Sequence, residues 1–512
     1  RKKLVAPNKP SDRRERMEAL KERGDDKFIG AYVKAPIVGK YDWVYDLDLT
    51  SLYPSIIMTL NISPETKVAK INNWDANKFI KGDEDTYTIG DDIITSDNLR
   101  KYLDESKFSV SSNGVLYRTD SVGCIPGILD LWFAQRVEYK NQMKKYGKAG
   151  NKAKYAFFHK RQLVQKILLN SLYGVLGLPA FRFYDIDNAE AVTTTGQTVI
   201  KSTADMGNIK YNKELGEKDL DSNIYIDTDS VFFSAVPLMD KRTPNWKDED
   251  QDTIAGYVND IAEEMQDYLN DFYDILSKKI FNVDVDKHRL EIKKEYVAKA
   301  GLWIAKKRYA QWIISDNGVP CDKLDVKGLD VKRSSFPKAF QEIMSDVLIS
   351  ILRGQTETEI TDKVLSFKKS MTSLDIKNIA KNSAVKNLTK YMPKKGKRQL
   401  FSIMKGTPAH VKAAIMYNDC LRHFNAPFKF EPMRDGDKIK WVYLKNNPLG
   451  LDGIGFTGYS DPPEINNFIK TYIDHNRIFE RELHRKLQDF YDAIGWGEVI
   501  SEQKTAEKFF SF

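Results

Sequence analysis

Two short acidic stretches, far apart in the chain, carry residues whose types and spacing could do chemistry. Asp48 comes at the end of a β-prone run, and Asp227 and Asp229 lie in a turn between two further β-prone runs. These patterns predict a strand that ends in a carboxylate and a hairpin whose tip is acidic. Carboxylates in such positions can converge on Mg²⁺, whose usual protein ligands are one or two carboxylates together with substrate phosphates. We therefore predict that the two stretches meet and support two-metal phosphoryl transfer.

A second group of candidate residues falls on two predicted helices. An apolar periodicity begins near residue 126, and turn-forming residues at 146–151 interrupt it before a second helix at about 152–172. This order predicts two antiparallel helices joined by a short tip. Gly174 is predicted to end the second helix, because glycine is common just past a helix C-terminus.

The second of these helices carries a mixed polar stripe. Lys166, Asn170 and Tyr173 are spaced i, i+4 and i+7, so they share one face. A cation, an amide and an aromatic ring on one face suit the phosphates and the base of a nucleoside triphosphate. A solvated helix with a buried tyrosine is the alternative interpretation. On the first helix, Arg136 and Lys140 are one turn apart and point the same way.

The composition is that of a globular protein with a mild basic excess. The 512 residues are enough for about three domains of ~150 residues each. Charged residues make up 30% and hydrophobic residues 41%, which excludes general disorder, and the net charge of +8 is compatible with a polyanionic partner. Three cysteines suggest neither a disulfide framework nor a metal-ligand set. Without a membrane-length apolar run or a recognisable signal peptide, a cytoplasmic location and no membrane partner are expected.

Four motifs occur in a fixed order, and together they are far more specific than any one of them. They are DLTSLYPSI at 48–56, KILLNSLYG at 166–174, YIDTDS at 225–230 and KKRY at 306–309. In this order they resemble the motif series of family B DNA polymerases, in particular the replicative polymerases of T-even-type bacteriophages. The chain departs from the pattern at Ile226, where the family usually has glycine before the acid pair.

The resemblance assigns roles to the acidic residues. It implies that Asp48 and Asp229 bridge two Mg²⁺ ions, that Asp227 assists, and that the Leu49 carbonyl completes a site, with Mn²⁺ as a possible substitute metal. A further supporting acid is expected near the metals. Glu291 and Glu295 are both candidates, and the sequence does not choose between them.

The resemblance also implies two sets of binding residues. Tyr53 would be the steric gate that rejects ribonucleotides, and Tyr173 would lie beneath the nascent base pair; a core tyrosine is the alternative interpretation of Tyr53. The full set expected to bind the nucleotide is Ser51, Leu52, Tyr53, Arg136, Lys140, Lys166, Asn170 and Tyr173. The set expected to contact primer-template DNA is Gly174, Lys306, Lys307, Arg308, Tyr309, Lys327 and Arg333.

The implied architecture is an α+β right-hand polymerase with a palm of antiparallel sheet and helices, helical-hairpin fingers and a mostly helical thumb. The expected segments are a connector at 1–43, palm at 44–122 and 179–336, fingers at 123–178 and thumb at 337–512. Within the first palm segment, residues 61–114 contain no motif that we can interpret.

The C-terminal tail has the spacing of sliding-clamp-binding peptides. Gln503 is followed six and seven residues later by Phe509 and Phe510. We expect this tail to bind a sliding clamp. The alternative interpretation is that the aromatic residues fold back onto the thumb.

The function expected from the resemblance is template-directed addition of dNTPs to a primer 3′-hydroxyl. No exonuclease region with a DxE motif precedes the polymerase motifs, so we expect no proofreading from this chain, and a separate exonuclease chain is a possible partner. Two alternatives stay open. A metal-dependent nuclease would also need clustered acids, and a catalytically inactive DNA-binding polymerase subunit would need no chemistry.

Overall fold

The structure is a computed structural model that describes residues 29–81, 86–392, 399–426 and 429–500. The described residues fall into two compact units. The first contains residues 29–37, 42–298 and 314–321, and the second contains residues 38–41, 299–313 and the described residues from 322 onward. In the described part of the chain, no helix combines the length and the apolar character that crossing a membrane requires.

Fourteen strands are defined in the described residues. They are β1 (Gly39–Leu49), β2 (Lys67–Asn72), β3 (Thr86–Ile89), β4 (Asp92–Thr95), β5 (Phe108–Val110), β6 (Val115–Arg118), β7 (Asn223–Asp227), β8 (Ser230–Ser234), β9 (Ile292–Ala305), β10 (Arg308–Asp316), β11 (Val319–Lys327), β12 (Lys381–Ala384), β13 (Lys438–Tyr443) and β14 (Gly453–Phe456).

Fifteen α-helices are also defined in the described residues. They are α1 (Leu52–Leu60), α2 (Ala76–Lys81), α3 (Ser96–Ser106), α4 (Cys124–Lys148), α5 (Lys152–Leu176), α6 (Ile186–Leu215), α7 (Val236–Arg242), α8 (Gln251–Phe281), α9 (Lys338–Leu352), α10 (Glu357–Ser370), α11 (Ile376–Ile379), α12 (Ala409–His423), α13 (Pro463–Tyr472), α14 (His475–Phe479) and α15 (Arg485–Ala493). Helices and antiparallel sheets together confirm the predicted α+β class.

A sheet at the centre of the first unit positions the acidic residues. Strand β8 lies between β1 and β7 and is antiparallel to both, and the start of β9 lies on the other side of β1. Strand β1 is buried on both faces from Trp43 to Leu47, as expected for a strand covered on both sides. The β7–β8 hairpin is the one that the sequence predicts around Asp227 and Asp229.

Two long helices supply much of the core of the first unit. Asp185 caps α6 by accepting a hydrogen bond from the Asn188 N–H, and Asp250 caps α8 in the same way. The apolar periodicity of residues 254–280 predicts an amphipathic helix whose apolar face is Ile261, Met265, Leu269, Phe272 and Leu276. In α8 these residues are buried except Phe272, which is half-buried, so the predicted face is confirmed.

The predicted pair of antiparallel helices is present as α4 and α5. The Asn151 side chain begins α5 by accepting a hydrogen bond from the Lys154 N–H, 3.1 Å away. The predicted helix end at Gly174 is wrong, because α5 continues to Leu176 and Gly177 is its C-cap residue. A glycine inside a helix costs only about 1 kcal/mol relative to alanine, so it does not by itself end one.

Residues 61–114, for which the sequence gives no interpretation, form most of a small sheet with its own core. The strand order is β4-β3-β2-β6-β5, and the strand pairs described in it are antiparallel. Its core consists of Ile71, Phe79, Tyr87, Leu99, Leu103, Val110 and Leu116. Its polar contacts include the Lys67 amine, which bonds to both Asp185 and Asp187 at 2.9 Å and so ties this sheet to the start of α6.

The second unit is helix-rich and contains its own sheet. Strand β13 pairs with both β12 and β14, and α12 packs on β14. Gly455 of β14 allows this close approach, because an added Cβ would lie 3.1 Å from the Ala413 carbonyl oxygen. Helix α10 begins with a capping box formed by Thr356 and Glu359.

Candidate active site

The two acidic stretches meet at the ends of neighbouring strands, as the sequence predicts. Asp48 of β1 is paired in register with Ser230 of β8, and Ser230 is paired with Asp227 of β7. The Ser230 hydroxyl donates a 3.0 Å hydrogen bond to Asp48 Oδ2. The Leu49 N–H donates to the Asp229 carbonyl oxygen at 2.9 Å. Backbone pairing therefore fixes the separation of the two stretches.

A tight turn presents Asp229 at the hairpin tip. Thr228 has a positive φ of 68°, in the left-handed region, and the Asp229 N–H bonds to the Asp227 carbonyl oxygen at 2.8 Å. Asp48 and Asp229 both line a cleft of about 700 Å³, whereas Asp227 is not among its lining residues. Asp227 adjoins the site and contributes its charge to the surroundings of Asp229.

Both cleft carboxyls are shifted toward the protonated form. Burial, and then repulsion from Asp229 and Glu295, holds the pKa of Asp48 well above its usual range. Burial also raises the pKa of Asp229, with repulsion from Asp227 and Glu295 adding to it. The positive charge of Lys166 acts against both shifts. The protein therefore concentrates negative charge here without compensating it fully.

Glu295, rather than Glu291, is the third acid that acts on this pair. Its charge raises the pKa of both Asp48 and Asp229. Glu291 also lines the cleft, but its carboxylate pairs with the Lys293 amine at 2.9 Å, and its backbone carbonyl accepts from the Thr50 N–H at 2.8 Å. The structure thus distinguishes Glu295 from Glu291, which the sequence alone does not distinguish.

The donor set fits a hard divalent cation bound together with substrate. Among the described residues no three acidic, histidine or cysteine side chains form a preassembled metal site. Mg²⁺ needs no such cage, because it keeps water and substrate phosphates among its ligands and uses one or two carboxylates. Asp48 and Asp229, two partly buried and mutually repelling carboxylates, could supply those ligands, and a cation would relieve the repulsion.

A sharp turn leads from β1 into α1 beside the acids. Ser51 has a positive φ of 51°, and its side chain does not cap the helix. The Ser51 hydroxyl instead accepts a 3.1 Å hydrogen bond from Arg136 Nη1, while the Ser55 hydroxyl donates to the Thr50 carbonyl oxygen at 2.8 Å. A helix N-terminus without a side-chain cap has N–H groups to offer to an anion, such as a phosphate. Leu52 and Tyr53 occupy this first turn and line the cleft.

The cations named from the sequence line the same cleft. Arg136 and Lys140 come from α4, and Lys166 comes from α5. Burial lowers the pKa of Arg136, and burial together with neighbouring cations lowers that of Lys140. The structure adds Lys144, one further turn along α4, which sequence reasoning missed. Its i+4 spacing from Lys140 was a signal that could have found it.

Two tyrosines form the remaining wall. The rings of Tyr53 and Tyr173 lie 4.4 Å apart between centroids and are tilted by 44°, within the range of favourable aromatic pairs. Asn170 lines the cleft next to them. The predicted nucleotide-binding residues from α1, α4 and α5 therefore surround one space, whose size is within the usual range for ligand pockets.

The predicted DNA-contacting residues of the second unit form two adjacent turns. Lys306 and Lys307 are exposed in the turn between β9 and β10. Gly328 has a positive φ of 65°, and an added Cβ would collide with the Lys307 carbonyl oxygen, so the turn that follows β11 packs directly on this one. Lys327 is also exposed, and its amine is 3.2 Å from Asp325.

Other members of this predicted DNA-contacting set have structural partners. Tyr309 is only 5% exposed and stacks on Trp303, so its ring packs within the hairpin, and its role as a DNA contact stays a prediction. Arg308 bonds to Asp489 at 2.7 Å, and Arg333 pairs with Asp330 at 2.8 Å. Gly174, in the first unit, is exposed on α5, with nothing within 4 Å of an added Cβ.

Two predictions fall on residues outside the described part of the chain. The clamp-binding tail with Gln503, Phe509 and Phe510 is one, and most of the connector at 1–43 is the other. The structure does not test either of them.

Comparison with known proteins identifies the family. The family model described as DNA polymerase family B matches residues 1–244 and 257–487. This chain belongs to DNA polymerase family B. It is similar to the DNA-directed DNA polymerases of Enterobacteria phage T4, with 27% identity, and Escherichia phage RB69, with 26% identity. Each match covers 91% of this chain and 55% of the relative.

An archaeal relative extends the comparison. The DNA polymerase of Thermococcus gorgonarius is 29% identical over 71% of this chain and 37% of its own length. The chain thus spans about half the length of the phage relatives that it matches. The family assignment confirms the predicted resemblance.

Proposed function

We propose that this chain is a template-directed DNA polymerase that adds dNTPs to the 3′-hydroxyl of a DNA primer. The observation that carries the proposal is the convergence of Asp48 and Asp229 with Lys166, Tyr53 and Tyr173 in one cleft. Clustered acids alone would suit a nuclease equally well. The cation and tyrosine wall gives the cleft places for a triphosphate and a base pair, which strand cleavage does not need.

The reaction is an in-line displacement at phosphorus. The primer 3′-hydroxyl gives up its proton to solvent water, and its oxygen forms a bond to the α-phosphorus of the bound dNTP. The bond from that phosphorus to the bridging oxygen of the β-phosphate breaks with its electron pair, so pyrophosphate leaves. The protein contributes mainly position and charge. Two Mg²⁺ ions held by Asp48 and Asp229, with Mn²⁺ as a substitute, would neutralise charge that develops on the transferred group.

The cations of α4 and α5 hold the triphosphate in this scheme. Lys166, Arg136 and Lys140 line the same cleft as the acids, so phosphate oxygens bound there would meet both these cations and the metal-bearing carboxylates. Asn170 orients the nucleotide, and Tyr173 lies beneath the nascent base pair. Tyr53 occupies the space that a ribose 2′-hydroxyl would need and so selects deoxyribonucleotides.

The right-hand architecture is part of the proposal. Residues 44–122 and 179–336 would form the palm, 123–178 the fingers and 337–512 the thumb. The exposed lysines of the two packed turns, Lys306, Lys307 and Lys327, would contact phosphates of the primer-template duplex, which are the usual targets of such side chains. The tail with Gln503, Phe509 and Phe510 would bind a sliding clamp, which its sequence spacing supports.

Primer extension by the purified chain tests the central proposal. A labelled primer annealed to a longer template should gain one nucleotide when only the dNTP complementary to the next template base is supplied with Mg²⁺. The other three dNTPs should be used far less. Shortening of either strand without extension would favour the nuclease, and duplex binding without any change in the strands would favour the inactive subunit.

Deleting residues 503–512 tests the tail separately. Single-nucleotide insertion should be unchanged, because the described residues that line the cleft lie between Asp48 and Asn317, far from the tail in the sequence. Stimulation of long synthesis by a cognate clamp should be lost, because tethering raises the effective concentration of the enzyme on DNA. Full stimulation of the truncated chain would remove the tail from the proposal.

A further inference from the structure

The wall behind Tyr53 contains a glycine to which neither the sequence motifs nor the family match gives a role. Gly196 lies inside α6, a helix of thirty residues that carries no predicted site residue. It is buried, and its α-carbon faces the first turn of α1. The nearest side-chain atom to an added Cβ at this position is Cε1 of Tyr53, at 3.1 Å.

The contact with Tyr53 is tighter than the others around this glycine. The next atoms are Ile56 Cδ1 at 3.5 Å and Leu52 Cδ2 at 3.6 Å, which are ordinary van der Waals distances. A methyl group at residue 196 would therefore press on the Tyr53 ring before it disturbed any other neighbour. Glycine inside a helix is unfavourable by about 1 kcal/mol relative to alanine, so a packing reason for it is expected.

The Tyr53 ring is also contacted by Tyr173 of α5, with 4.4 Å between ring centroids. Gly196 and Tyr173 thus limit the ring from two elements, and Tyr53 itself lines the cleft that holds the acids. Contact with α6 prevents the Tyr53 ring from moving toward that helix. Any displacement of the ring is therefore directed away from α6 and changes the position of the ring in the cleft.

We propose that Gly196 is a positioning residue for sugar selection: the missing side chain sets how far the Tyr53 ring extends into the nucleotide site. This inference rests on the proposed polymerase function and on Tyr53 as its steric gate. Adding a methyl group at residue 196 moves the ring by a few tenths of an ångström toward the sugar. Discrimination against ribonucleotides then becomes stricter, and binding of dNTPs becomes weaker.

Gly196→Ala tests this proposal in single-nucleotide insertion assays with matched dNTP and rNTP. The expected result is a rise of about threefold or more in the KM for dNTP, and a similar or larger rise in the dNTP/rNTP ratio of kcat/KM. Gly256→Ala is the matched control. It adds the same methyl group inside helix α8, at an exposed position with no neighbour within 4 Å, and should leave both quantities unchanged.

A double-mutant cycle with Tyr53→Ala separates this inference from the function on which it rests. If Gly196 acts through the Tyr53 ring, Gly196→Ala has no effect on selectivity once that ring is absent. An effect of the same size in both backgrounds would overturn the inference. An unchanged ratio in the Gly196→Ala single variant would also overturn it, provided that Tyr53→Ala increases ribonucleotide use.

If Gly196→Ala folds poorly, the contact can be tested by thermal melting instead. The proteins compared are wild type, Gly196→Ala, Tyr53→Ala and the variant that carries both substitutions. The close contact is with the Tyr53 ring, so Tyr53→Ala should remove any destabilisation that Gly196→Ala causes. A destabilisation that persists without the ring would contradict the proposed contact. Failure of the wild-type chain to extend any primer, or an unchanged ratio in an active Tyr53→Ala variant, would instead refute the proposed function or its gate.

Discussion

The acidic and the cationic sides of the cleft are built in different ways. Asp48 and Asp229 are at strand ends, where backbone pairing and the Ser230 hydrogen bond fix their separation. The cations are at the ends of long side chains on two helices, and Lys166 is exposed. Preorganised charge is most effective where charge develops in a transition state. We therefore propose that the acidic side serves the chemical step and that the cationic side binds the triphosphate.

Asp229→Ala should produce the largest effect, because it removes one of the two carboxylates fixed beside the reacting atoms. Loss of metal-based charge stabilisation is worth several kcal/mol, so the maximal insertion rate should fall by about a thousandfold or more. Duplex affinity, measured by fluorescence anisotropy, should change little. Asp97→Ala is the control, since it removes an exposed carboxylate from α3. If the maximal insertion rate of Asp229→Ala is within tenfold of the wild-type rate, Asp229 does not serve the chemical step.

Lys166→Ala should act mainly on nucleotide binding. A hydrogen bond to a charged group contributes about 1.5–3 kcal/mol, so the apparent Kd for dNTP should rise roughly tenfold to a hundredfold. Lys160→Ala removes an equal charge from the same helix, at an exposed position that does not line the cleft. If the two variants raise the dNTP Kd equally, the affinity for dNTP depends on the net charge of the helix rather than on the position of Lys166 in the cleft.

Glu295→Gln should weaken the response to Mg²⁺ by a smaller factor. Its charge acts on both Asp48 and Asp229, so its removal should raise the Mg²⁺ concentration for half-maximal insertion by about threefold to tenfold. Glu291→Gln should leave that concentration nearly unchanged, because the Glu291 carboxylate is paired with Lys293. The reverse order of effects would show that the supporting acid has been misassigned.

The smallest effect concerns stability without metal. The folded-state pKa values of Asp48 and Asp229 are raised, so their contribution is most favourable below about pH 4, the ordinary aspartate pKa, and is lost as pH rises through the raised values. In EDTA, the Tm of Asp48→Asn should therefore decline less between pH 5 and 8 than that of wild type. Mg²⁺ should raise the wild-type Tm most at the upper end of this range. If the Tm of wild type and of Asp48→Asn changes with pH in parallel in EDTA, the repulsion between the Asp48 and Asp229 carboxylates does not destabilise the fold.

The sequence predicts the strand-end acids well because their signals are local. A β-prone run before Asp48 and the β-prone runs around Asp227 and Asp229 are enough to place the strands, and α8 follows from its apolar periodicity. The sheet of β2–β6 was missed because its strands have only three to six residues, which is too short for a period to stand out. The end of α5 was misplaced because a single glycine can be accommodated inside a long helix.

The contacts that decide details of the site are distant in the chain and leave no local pattern. Gly196 meets Tyr53 through the packing of α6 on α1, and no spacing rule links the two residues. The sequence does not choose between Glu295 and Glu291. They are separated by the pairing of Glu291 with Lys293 and by the charge that Glu295 exerts on Asp48 and Asp229. Tyr309 carries the chemistry of a DNA contact, but its ring is buried against Trp303.

The central claim is that the acidic side of the cleft sets the rate of the chemical step and the cationic side sets the affinity for dNTP. Single-turnover insertion of one correct dNTP, measured over a range of dNTP concentrations, tests this claim. Wild type, Asp229→Ala and Lys166→Ala should be compared on the same primer-template. We expect template-directed insertion by wild type, a large fall in maximal rate for Asp229→Ala with little change in dNTP Kd, and a raised dNTP Kd for Lys166→Ala. The absence of insertion by wild type, or an Asp229→Ala variant that loses only dNTP affinity, would contradict the proposed roles of the two sides.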